Sequence, residues 1–599
     1  MAKELPSREE VKIEDTWDLT PLFENEEAWE NAIKESLEIV DKLCEYEGKV
    51  CDSAENLLKC LNLSVESEEI FEKCYSYASK LHDQDTADAK HQAMNAKIWT
   101  KNAEVMEKLA FLTTEIVECD EKTLYGYLDS NSELNGYRLM IDRIRKEKPH
   151  TLSKEMEQLL AASYDCTSTA SDTFDVLSDA DMEFGEITDD NGEKVRITQG
   201  RYISLVMSSD RRVREDAYKT YYASYKKLKN TFSSLYFGHL KSLKFFGKAK
   251  KYSSTLEAAL FKNEIPVSVY ENLIAAVNNN LDKLHRYVDI RKKCLGVDTF
   301  RMYDIYPPMV KDVKVNYTYE EAKALVLEAL KPLGEDYLKV VREAFSDRWI
   351  DVYENKNKRS GAYSSTVYGV HPYMLLNFDG KLEDVFTLIH EMGHSMHSYY
   401  SNKTQPFIYA DYKIFVAEVA STCNEILLLK YMLEHTEDKN ERAYLLNHYM
   451  DMFKGTLFRQ TQFAEFELET NRLVENGEAL TGEVLCGMYD SINKKYYGPN
   501  VEYDEEISYE WERIPHFYYN YYVYQYATSF CASVAIAEKI LKDPAYVAKY
   551  LDFLSGGCSD TPINLLKKVD VDMETPEPVN DALEAMSKVM DEFEALLIS

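Results

Sequence analysis

Glycine and proline, the residues that most often end a helix, are thinly spread along this chain. There are 21 and 15 of them, together 36 of 599 residues, about half the roughly 12% that average usage would give. Elements can therefore run long, and the apolar residues say what kind they are. Leu57, Cys60 and Leu61 recur at helical spacing, as do Val105, Leu109, Leu112 and Ile116. The chain is expected to be mainly α.

Two stretches break that texture. Residues 182–198 alternate on either side of Asp190-Asn191-Gly192, a turn signal that predicts a β-hairpin. Its position suggests a boundary between an N-terminal helical region, residues 1–199, and a catalytic region, residues 200–599. Helical periodicity then runs to about residue 345, interrupted near Tyr306-Pro307-Pro308. From Gly361 to Phe378 the chain is rich in aromatic and β-branched residues, which predicts two short strands closed by Asp379-Gly380. A helix follows from about Glu383, with Glu383 and Asp384 at its favourable N-terminal end and Val385, Ile389, Met392 and Met396 as its apolar face.

The other face of that helix carries His390-Glu391-Met392-Gly393-His394. Histidines at i and i+4 lie one above the other, so both rings can reach one metal ion. Glu391 flanks them, where it can take a proton from a water the metal has made acidic. A catalytic zinc needs a third protein ligand and one open position. His397 lies two turns from His390, too far along the axis to converge on the same ion, so its expected role is support behind a ligand or packing. Residues 415–425, FVAEVASTCNE, read as a second helix with Glu418 and Glu425 two turns apart on one face. A carboxylate on an otherwise apolar stretch demands a partner. Glu418 is expected to be the third ligand, and Glu425 to orient a ligating histidine from behind.

A third region, residues 511–526, combines Arg513 and His516 with a run of tyrosines including Tyr519, Tyr521 and Tyr526. Tyrosine hydroxyls and a histidine are the donors a hydrolase uses on an oxyanion. Tyr519 and Tyr526, seven apart, would share a face if the segment were one helix.

These blocks together resemble the M3 metallopeptidases, of the oligoendopeptidase F kind. The carriers are the HExGH helix of residues 384–394, PYMLLNFDG (372–380), FVAEVAST (415–422) and IPHFYYN (514–520). Weaker likeness runs through TWDLTPLF (16–23), residues 149–161 and residues 200–215. The resemblance implies a two-lobed helical metallopeptidase enclosing a deep cleft, a small β element beside the motif helix, one Zn2+ per chain, and hydrolysis of short peptides. It puts Glu418 in the place of the family's third ligand. His516, Tyr519 and Tyr526 fall where the family has residues that stabilise the transition state; counting residues from His516 would select Tyr521 instead. Gly361, Ala362 and Tyr363 are expected to form an edge strand that binds the substrate backbone by β-addition.

Two rival functions remain at this stage. A zinc exopeptidase, a carboxypeptidase or peptidyl-dipeptidase on a related helical fold, would need a cation fixed to capture a terminal carboxylate, and Arg513 is the nearby candidate. A non-catalytic helical protein with a structural metal would have no use for Glu391. The formal net charge of −34 repels nucleic-acid phosphates and anionic membrane faces, so neither is an expected partner. No run of about 18 apolar residues is present to span a bilayer. The first residues are charged and lack the apolar stretch of a signal peptide. Eleven scattered cysteines without CxxC pairs point to a reducing compartment, the cytoplasm.

Overall fold

Polar caps set where the helices begin. The computed structural model of the protein describes residues 4–310 and 316–597. The carboxamide of Asn25 accepts from the N–H of Ala28 to open the helix Glu26–Cys44. Ser53 does the same for Ala54–Gln84 and Asp88 for Ala89–Glu118. Each such cap is worth about 1 kcal/mol. The three helices bury Trp29, Ile33, Val40, Leu57, Leu61, Ile98 and Ile116, so the two helical patterns in the sequence lie where the periodicity put them.

The chain divides into two compact units, each assembled from three separate stretches. The first comprises Met1–Thr151, Val315–Leu428 and Ala537–Thr561; the second comprises Leu152–Lys314, Leu429–Ile536 and Pro562–Ser599.

The second unit contains the expected hairpin. Strands β1 (Glu186–Thr188) and β2 (Lys194–Arg196) pair antiparallel, with Glu186 opposite Arg196. Gly192 turns the chain at φ +82°, and the Asp189 carboxylate accepts from the N–H groups of Asn191 and Glu193. The unit's core is unusually rich in tyrosine. The helix Arg211–Ala249 buries Tyr218, Tyr221, Tyr222, Tyr225 and Tyr236, and Phe184 stacks on Tyr221 at 4.7 Å. Such side chains bury large apolar faces while their hydroxyls still need partners.

The first unit holds the other sheet: β3 (Ile350–Asp351), β4 (Tyr363–Ser365) and β5 (Tyr373–Leu375), in the order β3-β5-β4. Two of these strands were expected; β3, two residues long and parallel to β5, was not. β4 runs antiparallel to β5 at the edge of the sheet. Gly380, at φ +87°, then turns the chain into the helix Leu382–Thr404, one residue earlier than the sequence suggested. The Asp384 carboxylate caps that helix by accepting from the N–H groups of Asp379 and Lys381.

Candidate active site

The helix Leu382–Thr404 has its apolar face, Val385, Ile389, Met392 and Met396, fully buried, which fixes the direction of the opposite face. There the rings of His390 and His394 stand 4.8 Å apart and nearly perpendicular. A second helix, Ile414–His435, runs close beside them because residue 393 is glycine. A Cβ at that position would lie 2.5 Å from Ser421 Cα and 2.6 Å from the Ala420 carbonyl oxygen. That approach delivers Glu418 to the histidines.

Three donor atoms converge. His390 Nε2 lies 3.2 Å from His394 Nε2. Glu418 Oε2 is 3.4 Å from the first and 3.6 Å from the second. Ligands at 2.0–2.1 Å from a tetrahedral ion stand about 3.3 Å from one another, so the triangle has the size such an ion requires. The donor set, two imidazole nitrogens and one carboxylate oxygen, leaves a fourth position open, as a catalytic zinc site does.

The next layer of side chains orients these donors. His390 Nδ1–H donates to Glu425 Oε1 at 2.9 Å, which turns Nε2 of that ring toward the other two donors. The ring of His394 bonds to the backbone of Ala417. Ser421 Oγ–H donates to Glu418 Oε2 at 3.1 Å, and Asn424 Nδ2–H donates to the Ile389 carbonyl at 3.3 Å. Fixing the second nitrogen of a ligating histidine sets both its tautomer and its basicity.

The charges follow from this packing. Burial works against a charged His390, but its bonds to Glu418 and Glu425 outweigh burial and push the imidazole up to about 10. Burial lowers His394 to about 4, with the His390 charge acting in the same direction. Burial would raise Glu418, yet the bond from His390 and the two histidine charges bring it down to about 2. Glu418 and Glu425 thus hold positive charge at this point, here a proton on His390. Glu391 is different. It is buried, and burial raises it to about 7, opposed by His390 and by a hydrogen bond from the Ser364 backbone and assisted by the Glu418 charge. A carboxylate tuned to that range can both accept and return a proton near neutral pH.

His397 is no ligand. It is buried, its ring stacked on Tyr412 at 3.7 Å, and burial lowers it to about 3. Of the residues expected to form the substrate-binding edge, Tyr363 lies in β4, whereas Gly361 and Ala362 precede the strand. Gly361 sits at φ +84°, and its carbonyl accepts from Asn377 Nδ2–H at 2.7 Å. Gly361 and Ala362 instead line a recess of about 220 Å³ with Asn377, Phe378, Asp384 and Thr387. β4 is tied to the motif helix by the hydroxyls of Ser364 and Ser395, 2.8 Å apart.

The remaining candidates belong to the second unit, where they gather with one another. The His516 ring lies 5.5 Å from Tyr519, 6.2 Å from Tyr526 and 6.3 Å from Tyr522. They do not share a helix, contrary to the reading of one continuous face. Asn520 and Tyr521 take positive φ of 53° and 54°, and the helix Tyr524–Lys542 starts only afterwards. That kink separates the tyrosines. Tyr519 is 56% exposed, while Tyr521 is 3% exposed, with its hydroxyl 3.0 Å from Thr255 Oγ1 and its ring edge-on to Tyr270 at 5.5 Å. Tyr521 is a core residue. Arg513 is also committed, donating to Glu510 Oε1 at 2.7 Å and to Tyr222 Oη at 3.1 Å.

Sequence reasoning missed Gly393, Ser421, Asn424 and Tyr522. Gly393 alone carried a signal, because a glycine inside a helix costs about 1 kcal/mol relative to alanine and asks for a packing reason.

The sequence matches the profile described as peptidase family M3 over residues 204–585 and that described as oligopeptidase F over residues 115–184. Oligopeptidase PepF of Bacillus subtilis is 45% identical over 599 residues, covering 100% of this chain and 89% of its own. A solved structure from Chlamydophila abortus superposes with a TM-score of 0.93 at 36% identity, over 99% of this chain and 100% of that one. The oligoendopeptidase-F structure from Enterococcus faecium gives 0.75 at 38% identity, over 95% and 98%.

Proposed function

This chain belongs to peptidase family M3, among the oligoendopeptidase F enzymes, and from that premise we propose that it hydrolyses internal bonds of short peptides with one zinc ion. It is a metallopeptidase by family. The observation that carries the finer reading is the triangle of His390, His394 and Glu418 donors, 3.2, 3.4 and 3.6 Å on its sides, with Glu391 alongside. Zinc held there would supply an acidified water and a polarised scissile carbonyl. The chain's own residues do the rest. Glu391 takes a proton during attack on the carbonyl and returns it to the leaving amine. His516, Tyr519 and Tyr526 donate to the oxyanion. Tyr363 and the residues leading into β4 align the substrate backbone at the sheet edge.

Arg513, the candidate cation for an exopeptidase, donates to Glu510 and Tyr222, which supports the endopeptidase reading. A raised carboxyl beside the donor triangle has no purpose in a purely structural metal site. We further propose that residues 1–199 and 200–599 are distinct sequence regions, since the two profile matches fall on either side of that boundary. All eleven cysteines are free thiols, which suits the cytoplasm. Among the described residues no helix is long and apolar enough to cross a membrane, and the charge of −34 disfavours nucleic acid as a partner.

The test uses an internally quenched peptide of moderate length, blocked at both ends. Cleavage that a chelator stops and zinc restores supports the reading. Cleavage only of peptides with a free terminus would refute the endopeptidase assignment, and chelator-resistant cleavage would refute the metal.

A further inference from the structure

A cavity of about 470 Å³ lies in the first unit, between the helices Ala54–Gln84 and Ala89–Glu118. Its walls are aromatic and aliphatic: Phe71, Tyr75, Trp99, Val105, Met106 and Leu109. Trp99 meets Tyr75 edge-on with ring centroids 5.1 Å apart. Trp99 and Met106 are 53% and 66% exposed, adjacent large apolar side chains on an otherwise strongly charged chain.

Two carboxylates line this apolar space, and among the described residues neither makes an ion pair. Glu68 accepts a hydrogen bond from Ser64 Oγ–H at 2.7 Å, and Glu72 accepts one from the Tyr368 N–H at 3.1 Å. Glu72 is half-buried, which raises its carboxyl above the usual range, whereas Glu68 is exposed to solvent. The lysines acting on Glu72, Lys73 and Lys80, make no ion pair with it among the described residues, and Lys80 donates to Ser76 Oγ instead. Three neighbouring acids are paired, Glu30 with Lys97 at 2.5 Å, Glu104 with Lys101 at 2.6 Å and Asp41 with Lys108 at 2.7 Å. Glu68 and Glu72 line the same cavity as the exposed Trp99 and Tyr75, whose ring faces attract cations. The cavity is also of the size that small-ligand sites have.

We infer that this cavity binds an organic ammonium ion, its charge between Glu68 and Glu72 and its hydrocarbon chain against Tyr75, Trp99 and Met106. Two sources share that chemistry, a free aliphatic diamine and the lysine side chain of a peptide. The inference stands apart from the metal site and does not depend on the peptidase reading.

The experiment titrates the full-length protein at low salt with 1,5-diaminopentane, with Nα-acetyl-lysine amide and with pentanoate. It follows calorimetric heat and tryptophan fluorescence, for which Trp99 is the reporter. Saturable binding of at least one ammonium, with none of pentanoate, is expected. The tighter ammonium identifies the source. Glu72→Gln should weaken binding at least tenfold, and the Glu68→Gln/Glu72→Gln double variant should abolish it. Trp99→Phe should remove most of the fluorescence response. An unchanged thermal melt of the double variant shows that it is folded. Failure of both ammonium probes to saturate wild-type protein would overturn the inference, as would equal binding of pentanoate or full affinity in the double variant.

Discussion

Replacing Gly393 with alanine tests whether the closeness of two helices makes the metal site. The added methyl would sit 2.5 Å from Ser421 Cα and 2.7 Å from Ser421 N. Carbon atoms in ordinary contact are about 3.5–4.0 Å apart, so the shortfall is about 1 Å. The obstructing atoms are backbone and cannot rotate away, so the helices must separate. Glu418, three residues before Ser421, moves with its helix. Its carboxylate oxygen already stands 3.4 and 3.6 Å from the two nitrogens, and a ligand site tolerates about ±0.2 Å in its bond lengths. Metal affinity should therefore fall by at least the roughly 10–100-fold seen when groups supporting metal ligands are removed. Overpacking should cost about 1–3 kcal/mol of stability, offset by about 1 kcal/mol of helix propensity. The assay is competition for zinc with a chromophoric chelator, run beside a thermal melt of the metal-free protein. Gly126→Ala is the control, because a Cβ at Gly126 meets nothing within 4 Å, and its metal affinity should not change. If Gly393→Ala keeps zinc affinity within about threefold of wild type, steric control of the Glu418 position is wrong.

Glu391→Gln should keep its zinc but lose turnover by roughly 10²–10⁴-fold, the usual contribution of a general base; retention of a tenth of wild-type turnover refutes the base. Glu418→Ala should instead lose zinc, measured by metal analysis after gel filtration. Tyr519→Phe and Tyr526→Phe should each lower kcat on the order of 10²–10³-fold with KM nearly unchanged. Tyr521→Phe should cost about 1 kcal/mol of stability through its lost bond to Thr255 and leave kcat alone; the reverse pattern would restore the rival alignment. Glu467 is buried and raised to about 8, with the Tyr521 N–H opposing that shift. The folded state thus holds this proton more tightly than the unfolded state, and the stability it contributes is lost as pH rises from about 4.5 to about 8. Denaturant melts across that range should show the slope in wild type and a flatter one in Glu467→Gln. Equal slopes would place the titrating group elsewhere.

Legibility in the sequence tracked how local each determinant was. The helices Ala54–Gln84 and Ala89–Glu118, the hairpin at Asp190-Asn191-Gly192 and the capped motif helix each rest on residues within a turn or two of one another. The strand β3 was invisible because two residues carry no periodicity and pair only with a partner 24 positions away. The compact units escaped for the same reason, being assembled from stretches hundreds of residues apart. The tyrosine cluster failed in a more instructive way. Nothing in an aromatic run marks the positive φ of Asn520 and Tyr521, which are non-glycine residues in the left-handed region and are held there by their surroundings. Seven-residue spacing implied a shared helix face, and the kink made that inference void while still leaving both tyrosines beside His516.

The candidate donor triangle was legible because its second helix obeys a geometric restriction that the sequence states openly. Glu418 and Glu425 are seven residues apart, about 10.5 Å along a helix axis, so two carboxylates so spaced on one face cannot both reach the same ring nitrogen. An imidazole offers two nitrogens on different edges, and His390 uses both. Its Nε2 lies 3.4 Å from Glu418 and its Nδ1 lies 2.9 Å from Glu425. One glutamate therefore joins the donor triangle while the other stands behind the ring. The same arrangement explains why the ring nitrogen facing away from the triangle meets a carboxylate in the first histidine of the motif and not in the second. His394 lies one turn further along its own helix and finds the Ala417 backbone instead.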